Sequence, residues 1–181
     1  QAGVLEWGVT IGGSRSDQAY ALDTFSDGEF VLAGKTASSG AGGYDALLVK
    51  GNQSGHVEWA KTFGGSSTDY AYDAQSLDDG TTVVVGHTSS FGAGISDILL
   101  AKVDTFGELM WAITLGSTGQ DQAYALQATT DGGIVVAGSS YGFGPGTGFF
   151  AKVNSVGELV WAKLLNGSST TDGALQLSTD G

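Results

Sequence analysis

The sequence predicts an all-β protein, a β-propeller built of four-stranded antiparallel blades that is incomplete in this chain. Three observations lead to this fold class: a repeat of about 52 residues, an Asp-Gly pair at the same point of every repeat, and a glycine-rich composition. The 181 residues include 31 glycines and one proline, and 41% of them are hydrophobic. Such a composition fits a globular chain with many tight turns between short strands.

Tryptophan marks the repeat most clearly, with spacings of 52, 52 and 50 positions between Trp7, Trp59, Trp111 and Trp161. A set of acids keeps nearly the same step, namely Asp17, Asp69, Asp121 and Asp172. Self-similarity at such a period is typical of solenoids and propellers. Leucine-rich and hexapeptide solenoids have much shorter periods, and a β-sandwich does not repeat its sequence, so the propeller is favoured.

Each repeat is predicted to begin with a strand of small residues, strand a, of which 122–127 is an example. Small side chains suit the crowded axis of a propeller. An Asp-Gly pair follows each time, as in Asp27-Gly28 and Asp79-Gly80. Asp-Gly between two β-prone runs predicts a hairpin with a type I′ turn, in which both central residues have positive φ.

Three further strands complete the repeat. Strand b is predicted at 30–33, 82–85 and 134–137, and strand c at 45–49, 97–101 and 148–151. Strand c is apolar at successive positions, which predicts an interior strand covered on both faces. Strand d contains the tryptophan, and its mixture of apolar and polar residues at 58–63 indicates a half-exposed outer strand.

The repeat divides the single domain of 1–181 as follows. We expect 1–16 to hold the last strand of a preceding blade, 17–68, 69–120 and 121–171 to be three blades, and 172–181 to hold the first strand of a further blade. Propellers have four to eight blades, and an open array leaves apolar faces and strand edges in water. Either a longer repeat protein or other copies of the chain are expected to cover them.

The charge balance excludes one class of partner. With 19 acidic and 7 basic residues the formal net charge is −12, which repels a phosphate backbone, so no nucleic-acid partner is expected. No apolar run approaches the roughly 20 residues of a membrane-spanning helix. Cysteine is absent, so disulfides and thiolate metal sites are excluded.

The segment 104–111, Asp-Thr-Phe-Gly-Glu-Leu-Met-Trp, is similar to the tryptophan-bearing blade motif of quinoprotein-like propellers, and 154–161 repeats it. The wider pattern resembles β-propeller repeats of secreted and surface proteins of bacteria and archaea, and it covers nearly the whole chain. This resemblance implies a propeller fold and a location outside the cell, and it implies no specific activity. It also implies that the tryptophan packs one blade on the next, without a bound quinone.

No catalytic residue and no cofactor are predicted. His56 and His87 are the two histidines, and neither has a Ser, Asp or Glu at a catalytic spacing. We expect both to be ordinary surface or loop residues.

The repeated acids have two interpretations. Asp17, Asp69, Asp121 and Asp172 follow Gly/Ser-rich turns and could offer oxygen ligands to calcium. The favoured interpretation is structural, because a short Asp side chain accepts backbone N–H bonds and fixes a turn, and no calcium-loop motif is present. We therefore predict no metal site, with calcium as the weaker alternative.

Two surface features complete the candidates. The Gly-rich loops carry aromatic residues that suit stacking on a sugar or a partner protein, although packing of the loop on itself is favoured: Tyr44, Phe91, Tyr141 and Phe143. Asn52 and Asn166 each begin an N-glycosylation acceptor triplet in a predicted turn.

Together these features favour a non-enzymatic extracellular or cell-surface protein with a structural or assembly role, such as a stalk, coat or filament. Its expected partners are copies of the repeat itself. A lectin-like or protein-docking propeller, with a glycan or surface protein as partner, is the first alternative. A fragment of a quinoprotein-like enzyme is the second.

Overall fold

The structure, a computed structural model, describes residues 3–142 and 146–165 and the backbone of 176–178. These ranges contain β-strands and no helix, and hence no helix that could cross a bilayer. The strands are β1 (Asp17–Thr24), β2 (Phe30–Thr36), β3 (Asp45–Gly51), β4 (Val57–Phe63), β5 (Asp69–Ser76), β6 (Thr82–Thr88), β7 (Asp97–Val103), β8 (Leu109–Gly116), β9 (Asp121–Ala128), β10 (Ile134–Ser140), β11 (Thr147–Val153), β12 (Leu159–Leu165) and β13 (Gln176–Ser178).

The strands form three antiparallel sheets in which chain neighbours pair. We refer to β1–β4 as the first unit, β5–β8 as the second and β9–β12 as the third. β13 adds a fifth strand to the second sheet by pairing with β8, with Gln176 opposite Gly116. The prediction of an all-β chain with repeated four-stranded units is confirmed, and the four strands of each unit lie where the repeat predicted them.

The hairpin after each first strand differs from the predicted type I′ turn. Gly28 has a φ of 85°, but no other residue type has a positive φ among the described residues. The Gly28 N–H bonds to the Phe25 carbonyl at 3.0 Å, and the Phe25 N–H bonds to the Glu29 carbonyl at 2.8 Å. This is a three-residue loop, a type I turn followed by glycine in the left-handed region. The Asp27 carboxylate accepts the Glu29 N–H at 3.0 Å within this loop.

The segment before β1 also differs from expectation. Residues 3–16 form no strand, although 4–7 carry the same motif as the fourth strand of each unit. A strand needs a ladder partner, and the described residues offer this segment no third strand of a preceding unit. Trp7 nevertheless packs on the first unit, with its ring 5.8 Å from that of Phe30.

The units pack face to face through two apolar cores. Between the first and second units, Val31 and Leu48 share a cluster with Val84. Between the second and third, Val83 and Leu100 share a cluster with Phe149. Adjacent residues of a strand point to opposite faces, so the second unit is buried on both sides. Its third strand, β7, is accordingly interior, as its apolar run predicted.

Candidate functional site

Each unit accepts a hydrogen bond from a tryptophan that precedes that unit in the chain. The indole N–H groups of Trp7, Trp59 and Trp111 donate to the carbonyls of Gln53, Thr105 and Ser155, at 3.0, 3.0 and 3.3 Å respectively. Each acceptor belongs to the turn between the third and fourth strands of the following unit. The tryptophan motif therefore forms contacts between units.

A glycine in the same turn receives the indole ring. Gly107 has a φ of 76°, and a Cβ added to it would lie 2.9 Å from Cε3 of Trp59. Gly55 and Gly157 meet Trp7 and Trp111 in the same way. The repeated glycine thus satisfies two demands at once, a left-handed backbone conformation and close approach of an aromatic ring.

Hydrogen bonds between the first strands of neighbouring units also connect the units. The Asp23 carboxylate in the first unit accepts the backbone N–H and the hydroxyl of Ser76 in the second, at 2.8 and 2.7 Å. These hydrogen bonds outweigh desolvation and lower the pKa of Asp23. At the next junction, Asp73 accepts the N–H of Leu126 at 2.9 Å. The junctions are therefore specific as well as apolar.

The repeated acids at the start of the first strands bind donors within their own unit. Asp69 is 0% exposed and accepts the Gly65 N–H at 2.9 Å and the Ser90 hydroxyl at 2.7 Å. The Thr88 hydroxyl donates to its other oxygen. Asp17 has the equivalent partners in the first unit, and the hydroxyl of Thr36 and the N–H of Gly13 are the main causes of its lowered pKa.

The third unit departs from this pattern. Ser140 stands where the first two units have threonine, and Asp121 lies opposite it in the ladder. The Ser140 hydroxyl and Oδ1 of Asp121 are both buried without a hydrogen-bond partner. Oδ2 of Asp121 accepts the N–H and the hydroxyl of Ser117, at 2.7 and 2.9 Å.

The weaker alternative, calcium, was predicted for these acids. In the described ranges no group of three or more His, Cys, Asp or Glu side chains could hold a metal ion, and Asp172 lies outside them. Two acids do approach each other around Gly64, where an added Cβ would lie 2.5 Å from Oδ1 of Asp45 and 2.6 Å from Oδ2 of Asp69. N–H and O–H donors occupy both carboxylate oxygens of Asp17 and Asp69, and one oxygen of Asp121.

A row of tyrosines runs across the first strands of the three units. The register of each first strand shifts at one point, and the extra residue there is Tyr20, Tyr72 or Tyr124. Such β-bulges redirect a side chain and are frequent beside binding sites. The ring of Tyr72 lies 5.4 Å from that of Tyr20 and 5.2 Å from that of Tyr124. We call these three residues the tyrosine row.

The row is partly open to solvent and polar at its rim. Tyr20 is 42% exposed and Tyr124 is 50% exposed. Their hydroxyls donate to the side-chain oxygens of Gln18 and Gln122, at 2.9 and 2.6 Å. Tyr72, between them, is half-buried, and desolvation raises the pKa of its hydroxyl.

Lys35 lies beside this row in a cage of aromatic rings. Its ammonium is 4.0 Å from the ring centroid of Tyr70 and 4.3 Å from that of Tyr44. Desolvation lowers the pKa of Lys35, but hydrogen bonds to the hydroxyls of Tyr70 and Tyr20 outweigh it and raise the pKa above its usual value. Tyr44, predicted as a loop aromatic, therefore binds a cation of its own chain.

The expectation that His87 is a surface or loop residue was wrong. It lies within β6, is 6% exposed, and packs 4.7 Å from the ring of Tyr70 and 5.4 Å from that of Tyr72. Its Nδ1 has no hydrogen-bond partner, and burial lowers the pKa of the imidazole. The physical reason is that β6 extends to Thr88, so His87 belongs to a strand of the second unit, which is covered on both faces. His56 is exposed in its turn, as predicted.

The remaining predicted residues do not belong to this cluster. Phe91 and Tyr141 are 47% and 55% exposed. Phe143 and the segment 166–175, which includes Asn166 and Asp172, lie outside the described residues. Asn52 holds its turn, because its Oδ1 accepts the N–H of Ser54 at 3.1 Å and the hydroxyl of Ser54 at 2.7 Å.

Sequence reasoning missed the cluster of Tyr20, Tyr70, Tyr72, Lys35 and His87. One signal could have found it, namely that Tyr20, Tyr72 and Tyr124 occupy the same position of three successive repeats. No protein-family model matches the chain, and a search of curated proteins finds no similar sequence.

Proposed function

We propose that this chain is a non-enzymatic structural repeat of an extracellular or cell-surface protein, and that its units are blades of a β-propeller. The observation that carries the proposal is the recurrence of one junction: Trp59 and Trp111 make the same contact with successive units. Propeller packing is further supported by the neighbouring positions of β1, β5 and β9, which lie side by side as inner strands around an axis would.

The chemistry of the side chains supports a structural role over an enzymatic one. The carboxylates of Asp17 and Asp69 accept hydrogen bonds from hydroxyl and N–H donors, and the buried His87 packs on Tyr70 and Tyr72. The net charge of −12 suits a surface that stays soluble outside the cell.

Immunogold electron microscopy of source cells tests this role. With antibodies against the chain, we expect label on the cell surface or on extracellular material, and protein purified from that material should lack a quinone absorption band. Label confined to the cytoplasm, or a protein-bound quinone with dehydrogenase activity, would refute the proposal.

A binding propeller is the second candidate, and the tyrosine row favours it. The row lies at the β-bulges of the first strands, and the hydroxyls of Tyr20 and Tyr124 with Gln18 and Gln122 form a polar rim suited to a sugar. A glycan array tests this candidate. A hit that is lost in Tyr20→Ala and Tyr124→Ala, but kept in Tyr141→Ala, would support it, and an array without hits would count against it.

A further inference from the structure

The tyrosine row brings the phenol rings of three separate units into contact. The ring centroid of Tyr72 lies 5.2 Å from that of Tyr124 and 5.4 Å from that of Tyr20, although the members of each pair are 52 residues apart in sequence. A covalent bond between two of these rings would therefore join neighbouring units. The 181 residues contain no cysteine, so a disulfide cannot make such a link within them.

The angle between two of the rings fits a bond between phenols. The ring planes of Tyr72 and Tyr124 are inclined to each other by 44°. Two phenols joined through the carbons ortho to their hydroxyls form a twisted biaryl, in which the ring planes also meet at an intermediate angle. Tyr70 meets Tyr72 edge-on instead, at 86° and a centroid distance of 5.8 Å. The orientation of the rings thus favours Tyr124 over Tyr70 as the partner of Tyr72.

The charge of Lys35 separates the same residues further. Its ammonium lies 4.0 Å from the ring centroid of Tyr70 and 5.9 Å from that of Tyr20. A nearby positive charge opposes the removal of an electron from a ring. Within the part of the chain that the structure describes, no Lys or Arg side chain lies over the ring of Tyr72 or Tyr124. The charge distribution therefore favours oxidation of these two rings over that of Tyr70.

Tyr72 remains accessible although other units pack on both sides of its own. It is only half-buried in β5, while both faces of the second unit are covered. The hydroxyl of Tyr124 donates to Oε1 of Gln122 at 2.6 Å, in an exposed hydrogen bond. An oxidised phenol is a strong acid, so an acceptor in this position takes up the phenolic proton and passes it to water.

We propose that Tyr72 and Tyr124 form an oxidative cross-linking site, at which a haem peroxidase with hydrogen peroxide joins the second and third units through a dityrosine bond. Each tyrosine gives up one electron to the peroxidase and its phenolic proton to water. The two radicals form a carbon–carbon bond between their ortho carbons, and the hydrogens on those carbons move to the oxygens, which restores both phenols. In total two hydrogen atoms leave the protein and reduce one hydrogen peroxide to two waters.

The bond would close a covalent loop across the junction that Trp111 and Ser155 already connect. A cross-link between residues 52 positions apart restricts the unfolded chain, as a disulfide does, and therefore stabilises the folded state. This inference goes beyond the proposed structural role, because the coupling depends on ring geometry and an oxidant and not on where the protein is located.

Peroxidase treatment of the dilute, purified chain tests the site. Trypsin then separates the two tyrosines, because Lys102 lies between them, and leaves the fragments 62–102 and 103–152. We expect blue dityrosine fluorescence and, by mass spectrometry, these two fragments linked with the loss of two hydrogen atoms. Tyr72→Phe and Tyr124→Phe keep the rings and should each lose this linked pair. A pair that persists in either variant, or a treated chain without the pair, would overturn the proposal.

Two further tyrosines provide the matched controls. Tyr141 lies in the same tryptic fragment as Tyr124 and is more exposed, at 55% against 50%, so Tyr141→Phe excludes coupling through exposure alone. Tyr70 contacts Tyr72 edge-on, so Tyr70→Phe tests orientation against proximity. Both variants should retain the linked pair in the yield of the unaltered chain. Loss of the pair in either variant would assign the bond to a different tyrosine and overturn the site.

The urea midpoint of the cross-linked chain gives an independent measurement. We expect a higher midpoint than in the untreated chain, whereas the same treatment of Tyr72→Phe should not raise the midpoint. An unchanged or lower midpoint in the cross-linked chain would show that the bond does not fit the folded junction. Surface label without the linked pair would leave the proposed function standing, and the linked pair with cytoplasmic label would leave the cross-linking site standing.

Discussion

Trp59 donates its indole N–H to the carbonyl of Thr105, 46 residues further along the chain, at 3.0 Å. The bond joins the outer strand of one sheet to a tight turn of the next. Trp111 donates the equivalent bond to the carbonyl of Ser155, so the junction between units is itself repeated. The stability of the chain should therefore depend on residues at the junctions, and the first prediction concerns them.

Two glycines separate the cost of backbone strain from the cost of crowding the indole. Gly132 has a φ of 79°, and a Cβ added to it would make only an ordinary contact, 3.6 Å from Cβ of Ser155, so Gly132→Ala should lower the free energy of unfolding by about 1–3 kcal/mol. Gly107 has a similar φ and also lies against Trp59, so Gly107→Ala should lower the free energy of unfolding by more than Gly132→Ala does. Urea unfolding measures both. Equal losses in the two variants would show that the indole contact does not constrain the turn.

Ser140→Thr should stabilise the third unit. The added methyl group fixes the rotamer in which Thr88 donates to Asp69, and the same bond would satisfy Asp121. We expect a gain of about 1 kcal/mol in the free energy of unfolding. Thr88→Val is the reverse experiment and should cost about 1–3 kcal/mol, since it leaves a buried carboxylate oxygen without its donor. A destabilised Ser140→Thr protein would contradict this account.

His87 should make stability depend on pH. Burial lowers the pKa of its imidazole below 6.5, so the unfolded chain binds a proton that the folded chain does not. Stability is then complete above pH 6.5 and decreases as the pH falls below that value. The positive Lys35 of β2 opposes protonation and Asp69 of β5 favours it, while Tyr70 and Tyr72 pack on the ring.

Urea midpoints measured from about pH 5 to pH 8 test this dependence. His87→Ser introduces the residue found at the equivalent position of the third unit. In this variant, the loss of stability on acidification should be smaller. His56→Ser, altered in an exposed turn, should retain the original profile. If His87→Ser kept the same slope, the source of the pH dependence would lie elsewhere.

Lys35 should join the first and second units through its aromatic cage. Lys35→Met keeps most of the aliphatic length and removes the charge over Tyr70 and Tyr44, so we expect a loss of about 1–2 kcal/mol in the free energy of unfolding. Lys163→Met, at an exposed position of β12, is the matched control and should change stability little. Similar effects from both substitutions would point to net charge instead of the cage.

Much of the fold could be predicted because it is encoded locally. The strands of each unit follow from apolar runs between glycine-containing turns, and these signals repeat every 50 to 52 residues. The Asp-Gly pairs gave the position of the hairpins but the wrong turn type. The turn type depends on the number of residues in the loop, here three, which a dipeptide pattern does not specify.

The site was less predictable, because its members come from different units. Tyr20, Tyr72 and Tyr124 share a repeat position, yet their contact requires three first strands to lie side by side. Lys35 and His87 occupy the same repeat position with different side chains, so the repeat gave no indication of the cluster around Tyr70.

The chain's own pattern was sufficient for the β class, the repeat length, the four strands of each unit and the glycine turns, because each is specified by residues close in sequence. Stacking of the units decided the rest: the acceptors of Trp7, Trp59 and Trp111, the burial of His87, and the cover on both faces of the second unit. These features arise from contacts about fifty residues apart, and the geometry of the packed sheets, which no local pattern contains, selects them.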